Sequence, residues 1–239
     1  MAETQASHVP PSPGPGPTQR TRETTIAGLC YLAVIVGGLF AQGMVRQSLI
    51  VPGDASATTL AIFEDETLWR LGIAVHLLYL VPALTMKLLV CALFRSTEPT
   101  LTRLALVFGI SAVSVEAVSL TFLYVPLALP EASIAAVGSP TLVYLGTQLF
   151  AAGFAFSLVL FAGFCIGVGA LILRSRRMPG TIGWLMVVAG VCYIINTIAM
   201  IVSPDLFRLL FPAILAPALL AELSLALWLL LKGIAIQPD

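Results

Sequence analysis

Charge is what this sequence has least of. Acidic and basic residues together make up 10% of 239 positions, and the two signs cancel to a formal charge of zero. Ordinary soluble domains carry about 25% charged residues. Without a basic surface there is nothing to hold a nucleic-acid backbone, so nucleic acid is not expected as a partner. Histidine is scarcer still, with only His8 and His76. That argues against paired-histidine haem ligation, histidine-rich di-iron sites and H-E-x-x-H zinc sites, which need several imidazoles in one fold. Ser111, Ser114, Ser119 and Ser157 lie in apolar stretches, but none sits in the G-x-S-x-G of a nucleophile elbow. A lysine Schiff base at Lys87 rests on that one lysine alone. No enzymatic activity, cofactor or metal is therefore expected.

Cysteine is also sparse. Cys30, Cys91, Cys165 and Cys192 all fall inside apolar runs rather than in connecting segments, so they read as small hydrophobes and not as a disulfide framework.

What is abundant is apolar surface, 59% of residues. A helix needs about 20 mostly apolar residues to cross the hydrocarbon of a bilayer. That template finds spans near 26–45, 71–94, 104–128, 150–173, 182–203 and 211–231. The fold class is all-α, a polytopic transmembrane helical bundle of six spans with the bilayer as its solvent. The stretch 133–148 is interrupted by Gly138, Ser139 and Pro140 and reads as an outer interfacial segment; a seventh span is the alternative. Residues 1–25, with Pro10, Pro11, Pro13, Pro15 and Pro17, read as a disordered tail, residues 26–232 as the membrane domain and 233–239 as a short C-terminal tail. The apolar run after Arg20 and Arg22 is too long for the core of a signal peptide, which spans roughly 7–15 residues.

The basic residues set a direction. With the N-terminus inside, Arg20, Arg22, Arg95, Arg103, Arg174, Arg176, Arg177 and Lys232 are cytoplasmic, against Arg46, Arg70 and Arg208 outside. The positive-inside rule then predicts both termini in the cytoplasm of a multi-pass cell-membrane protein. After span one, Pro52-Gly53-Asp54 is a turn signal, and Asp54 is suited to cap a short outer interfacial helix over 55–63. Gly163 and Gly167 form a G-x-x-x-G packing signal in span four. Pro82 and Pro217 are expected to kink spans two and six.

Three segments carry a family resemblance: R-Q-S-L-I-V-P-G-D-A-S-A-T after span one, R-S-R-R-M-P-G-T-I-G-W-L-M-V-V-A-G-V-C-Y-I-I-N into span five, and A-E-L-S-L-A-L-W-L-L-L-K-G in span six. With them the chain resembles the bacterial membrane family known as domain of unknown function 4386. The resemblance implies a polytopic helical fold in a bacterial inner membrane and no assigned activity. The family pattern has an acidic residue early in span two, where this chain has His76.

Four ionisable residues lie inside the spans: His76, Lys87, Glu116 and Glu222. Each costs roughly 2.5–3.5 kcal/mol at the bilayer centre on insertion scales, so such groups face the bundle interior and pair. His76 and Lys87 are eleven residues apart, close to three full turns, and share one side of span two with Tyr79 and Ala83 nearby. Glu116 and Glu222 lie near the middles of spans three and six, at similar depth. Two readings follow. In one, Lys87 pairs with a glutamate, the other glutamate hydrogen-bonds a neighbour such as Asn196, and the cluster only fixes helix packing in a structural or regulatory protein. In the other, the same five residues line a path for a proton, an ion or a small molecule. Six helices make a small transporter, so such a path points to a homodimer.

Overall fold

The computed structural model describes residues 18–19, 21–129 and 138–235. Among them, six helices are long and apolar enough to cross a membrane: Arg22–Leu49, Glu66–Leu93, Pro99–Ala128, Ser139–Ser175, Gly180–Val202 and Ala213–Leu231. They are spans one to six of an integral membrane protein. Short connections force consecutive spans to lie antiparallel and adjacent. Each packs on the next in chain order, and span six returns to pack on span one, closing a ring.

The helices are apolar outside and polar inside, the reverse of a soluble bundle. On span two, Leu78 is 69% and Val81 66% exposed, whereas His76 is fully buried and Lys87 4% exposed. Burying an ionisable group while exposing leucine makes sense only where the surroundings are hydrocarbon.

Several boundaries differ from the sequence reading. Span one begins at Arg22, because Thr21 and Thr24 cap it reciprocally: the Thr21 hydroxyl accepts from Thr24 N and the Thr24 hydroxyl from Thr21 N. Thr18–Gln19 pairs antiparallel with Ile234–Ala235, so one face of the bundle carries both ends of the described chain. The tail reading for 1–17, for Arg20 and for 236–239 lies outside the described residues.

Span four corrects the interfacial segment read at 133–148. From Ser139 onward that stretch is the first part of one 37-residue helix, while 133–137 lie outside the described residues. The apparent interruption is a helix start: Gly138, at φ +100°, sits at the N-cap and Pro140 in the first turn, where proline forfeits no helical hydrogen bond. Pro217 is corrected in the same way. A 3-10 turn, Ala213–Leu215, leads into the helix Ala216–Leu231, so Pro217 stands in a first turn and breaks nothing. Pro82 does lie inside its helix.

The predicted short helix is present at Ala55–Glu64, with Asp54 Oδ1 accepting from Ala57 N at 2.8 Å. Span four, about 55 Å long at 1.5 Å per residue, outreaches a hydrocarbon layer of about 30 Å. The short helix packs on span four, and Gly53 N donates to the Tyr144 hydroxyl at 2.8 Å. The glycine motif is spent within the chain. A Cβ at Gly163 would meet the Phe108 ring at 2.7 Å, and one at Gly167 would meet Ala105 Cβ at 2.7 Å, both on span three.

Candidate functional site

Span two supplies three polar side chains to the interior. His76 and Tyr79, one turn apart, meet Glu116 of span three. The Tyr79 hydroxyl donates to Glu116 Oε1 at 2.6 Å, and His76 Nε2 lies 3.0 Å from the same oxygen and 2.8 Å from the Tyr79 hydroxyl. The phenol proton is committed to the carboxylate, so the hydrogen between the other two groups belongs on His76 Nε2. His76 Nδ1 is buried with no partner among the described residues. Tyr79 stacks on the imidazole at 4.6 Å, and Phe150 and Phe154 close over it edge-on at 5.6 and 6.3 Å. The Glu116 side chain is 14% exposed.

Beside this triad lies a residue the sequence reading put in an outer loop. Span one does not stop near 45; its segment Leu39–Arg46 widens into a π-helix and the helix runs on to Leu49. Arg46 is thereby buried at 3% exposure. Its Nε donates to Gln42 Oε1 at 2.6 Å, and its guanidinium stands 4.7 Å over the Phe150 ring. Glu116 and Tyr79 are within its electrostatic range. Two signals in the sequence point to this: Gln42 and Arg46 at i, i+4 spacing, and the apolar Leu49 and Ile50 beyond them.

Lys87 is deeper, eleven residues or about 16 Å along span two from His76. Its stem lies on Gly109 of span three, where an added Cβ would come within 2.9 Å of Lys87 Cδ. Gly109 is seven residues, about 10 Å, from Glu116 on the same helix. Because helical side chains lean toward the N-terminus, the lysine stem leans back toward the Glu116 level. Its ammonium rests 4.8 Å over Phe161 and 5.6 Å over Phe164. Among the described residues no carboxylate lies within 4 Å of it, yet Glu116 and Glu222 both act on it electrostatically.

Glu222 is 8% exposed and accepts a short hydrogen bond from the Tyr193 hydroxyl of span five. Asn196, expected as a glutamate partner, is not one; its Oδ1 is buried and unpaired among the described residues, as is the Tyr31 hydroxyl. Tyr193, one turn before Asn196, was missed because a lone tyrosine in an apolar run reads as core. The expected single cluster is thus two groups, Glu116 with His76 and Tyr79, and Glu222 with Tyr193, with Lys87 in range of both.

All six spans contribute buried polar or titratable side chains to the interior, span four through Thr147, Ser157 and Cys165, and one family match takes in all six, over residues 26–233. The chain belongs to the family described as Domain of unknown function (DUF4386). Glu222 itself lies in the E-L-S-L-A-L-W-L-L-L-K-G segment that carries the resemblance. No curated protein and no solved structure matches the chain. The family has no assigned activity, so function rests on the geometry of these buried groups.

Proposed function

We propose that the chain is a small, non-enzymatic, transporter-like protein of a bacterial cytoplasmic membrane, in which Glu116 and Glu222 take up and release protons and Lys87 answers to both. The observation that carries this reading is the isolation of Lys87: a buried ammonium with two carboxylates in range and neither within 4 Å. A charge buried only to hold helices together gains most from a direct, fully hydrogen-bonded pair, and leaving it unpaired costs several kcal/mol. Here each carboxylate is held by a tyrosine instead, and the lysine rests on aromatic faces, a weaker cradle that it can leave.

The charge count supports the same reading. Arg46 and Lys87 balance Glu116 and Glu222 when both acids are ionised. A proton taken up by either acid then leaves a buried cation uncompensated, which couples protonation to movement of charge. The orientation proposed places the termini in the cytoplasm. Arg22, Arg95, Arg103, Arg174, Arg176, Arg177 and Lys232 lie toward the face that carries them, and Arg70 and Arg208 toward the other. With Arg46 withdrawn into the bundle, that asymmetry is sharper than in the sequence reading.

One observation favours a purely structural role: the Tyr79–Glu116 and Tyr193–Glu222 bonds join neighbouring spans directly. Proton flux into vesicles reconstituted with the purified protein separates the two. The transport reading expects a saturable flux that Glu116→Gln and Glu222→Gln abolish while the protein stays folded. Folded wild-type protein that carries no flux leaves the structural role.

A further inference from the structure

On the spans that pack against Glu222, two buried oxygen atoms find no partner among the described residues. The Tyr31 hydroxyl of span one and Asn196 Oδ1 of span five are buried without a hydrogen-bond partner, in residues 0% and 5% exposed. Tyr31 lies within electrostatic range of Glu222. Asn196 is three residues beyond Tyr193, the residue that bonds Glu222, and so on the same side of span five. The donors available are a carboxylate, an amide carbonyl and two phenolic oxygens, with one formal negative charge among them. Oxygen donors select hard cations, and a single charge suits a monovalent ion better than calcium or magnesium, which gather several carboxylates or keep bound water.

The neighbouring ammonium fits this chemistry. Lys87 is already a monovalent cation drawn to Glu222, yet it rests on Phe161, whose ring in turn packs 5.6 Å from that of Tyr193. It stands beside the oxygen cluster as a tethered competitor.

We infer that Glu222, Asn196, Tyr31 and Tyr193 form a binding site for a dehydrated alkali cation of the sodium class, for which Lys87 and a proton on Glu222 compete. The inference rests on the transport reading and names its substrate class. Tyr193 of span five bonds Glu222, and Tyr31 from span one, Lys87 from span two and Cys165 from span four lie within its electrostatic range. Of these Lys87 is the cation. Sodium therefore binds best where Glu222 is ionised and the lysine has withdrawn.

The test is sodium binding by the full chain in detergent, measured by equilibrium dialysis against radioactive sodium, with choline chloride holding the ionic strength constant. The expected result is saturable, stoichiometric binding with a matching rise in unfolding temperature. Tyr31→Phe, which deletes one oxygen and keeps the ring, weakens binding roughly tenfold, and Glu222→Gln weakens it further. Lys87→Met removes the competitor and tightens it. Absence of saturable binding overturns the site, as does binding that Glu222→Gln and Tyr31→Phe leave unchanged. Binding needs no gradient, so the two readings fail separately: proton flux without sodium binding removes this site, and sodium binding without flux removes the transport reading.

Discussion

Tyr79 and Glu116, on adjacent spans, share a 2.6 Å hydrogen bond whose acceptor oxygen also receives His76 at 3.0 Å. Deleting the phenol leaves a buried carboxylate one donor short. A hydrogen bond to a charged group contributes about 1.5–3 kcal/mol. Tyr79→Phe, which retains the ring stacked on His76, is therefore expected to lower stability by that amount in a denaturant titration in mild detergent. An unchanged midpoint and slope contradict the assigned bond.

Gly109 makes room for the lysine. A Cβ there meets Lys87 Cδ at 2.9 Å and Phe164 at 3.0 Å. In Gly109→Ala the flexible stem must move off the helix before the aromatic ring does. Overpacking costs about 1–3 kcal/mol where nothing yields. The expected outcome is that Gly109→Ala costs less stability in a Lys87→Ala background, which removes Cγ and Cδ, than in wild type, read as a double-mutant cycle. Strict additivity contradicts the contact.

The G-x-x-x-G of span four is an internal seam. Gly167→Val pushes a side chain into Ala105 of span three, at a cost of about 1–3 kcal/mol. The oligomeric state of whatever remains folded should not change in size-exclusion chromatography with light scattering. A variant that stays stable but shifts oligomeric state contradicts the assignment.

The pair Arg174–Glu98, at 2.6 Å, joins side chains 57% and 44% exposed. Solvent and salt screen such pairs, which contribute about 0.2–1 kcal/mol. Glu98→Ala should therefore shift stability by less than about 1 kcal/mol, an effect that fades at high salt. A larger, salt-independent loss contradicts it.

The six spans were legible because hydrocarbon thickness imposes a length that few other structures share. The eleven-residue spacing of His76 and Lys87 likewise fixed the inward face of span two. Proline was ambiguous: Pro140 and Pro217 read as breaks, yet the first turn of a helix accepts proline without loss. Arg46 was missed for a different reason, despite the Gln42 spacing and the apolar residues beyond it. A π-helical segment adds a residue to the turn, which no apolar period reveals, so the span looked as if it ended before the arginine. Which glutamate meets which partner depends on helix rotation and stagger across the ring, and that decided for Tyr193 over Asn196.

Protonation of Glu116 and Glu222 inside the bundle is the centre of the account, and infrared difference spectroscopy reads it directly. Across the pH range in which the protein stays folded, the account predicts a carboxylic-acid band that appears and disappears reversibly in wild-type protein. It splits into two contributions, one lost in Glu116→Gln and the other in Glu222→Gln. A spectrum in which neither side chain changes protonation across that range contradicts the account and leaves both glutamates as fixed struts.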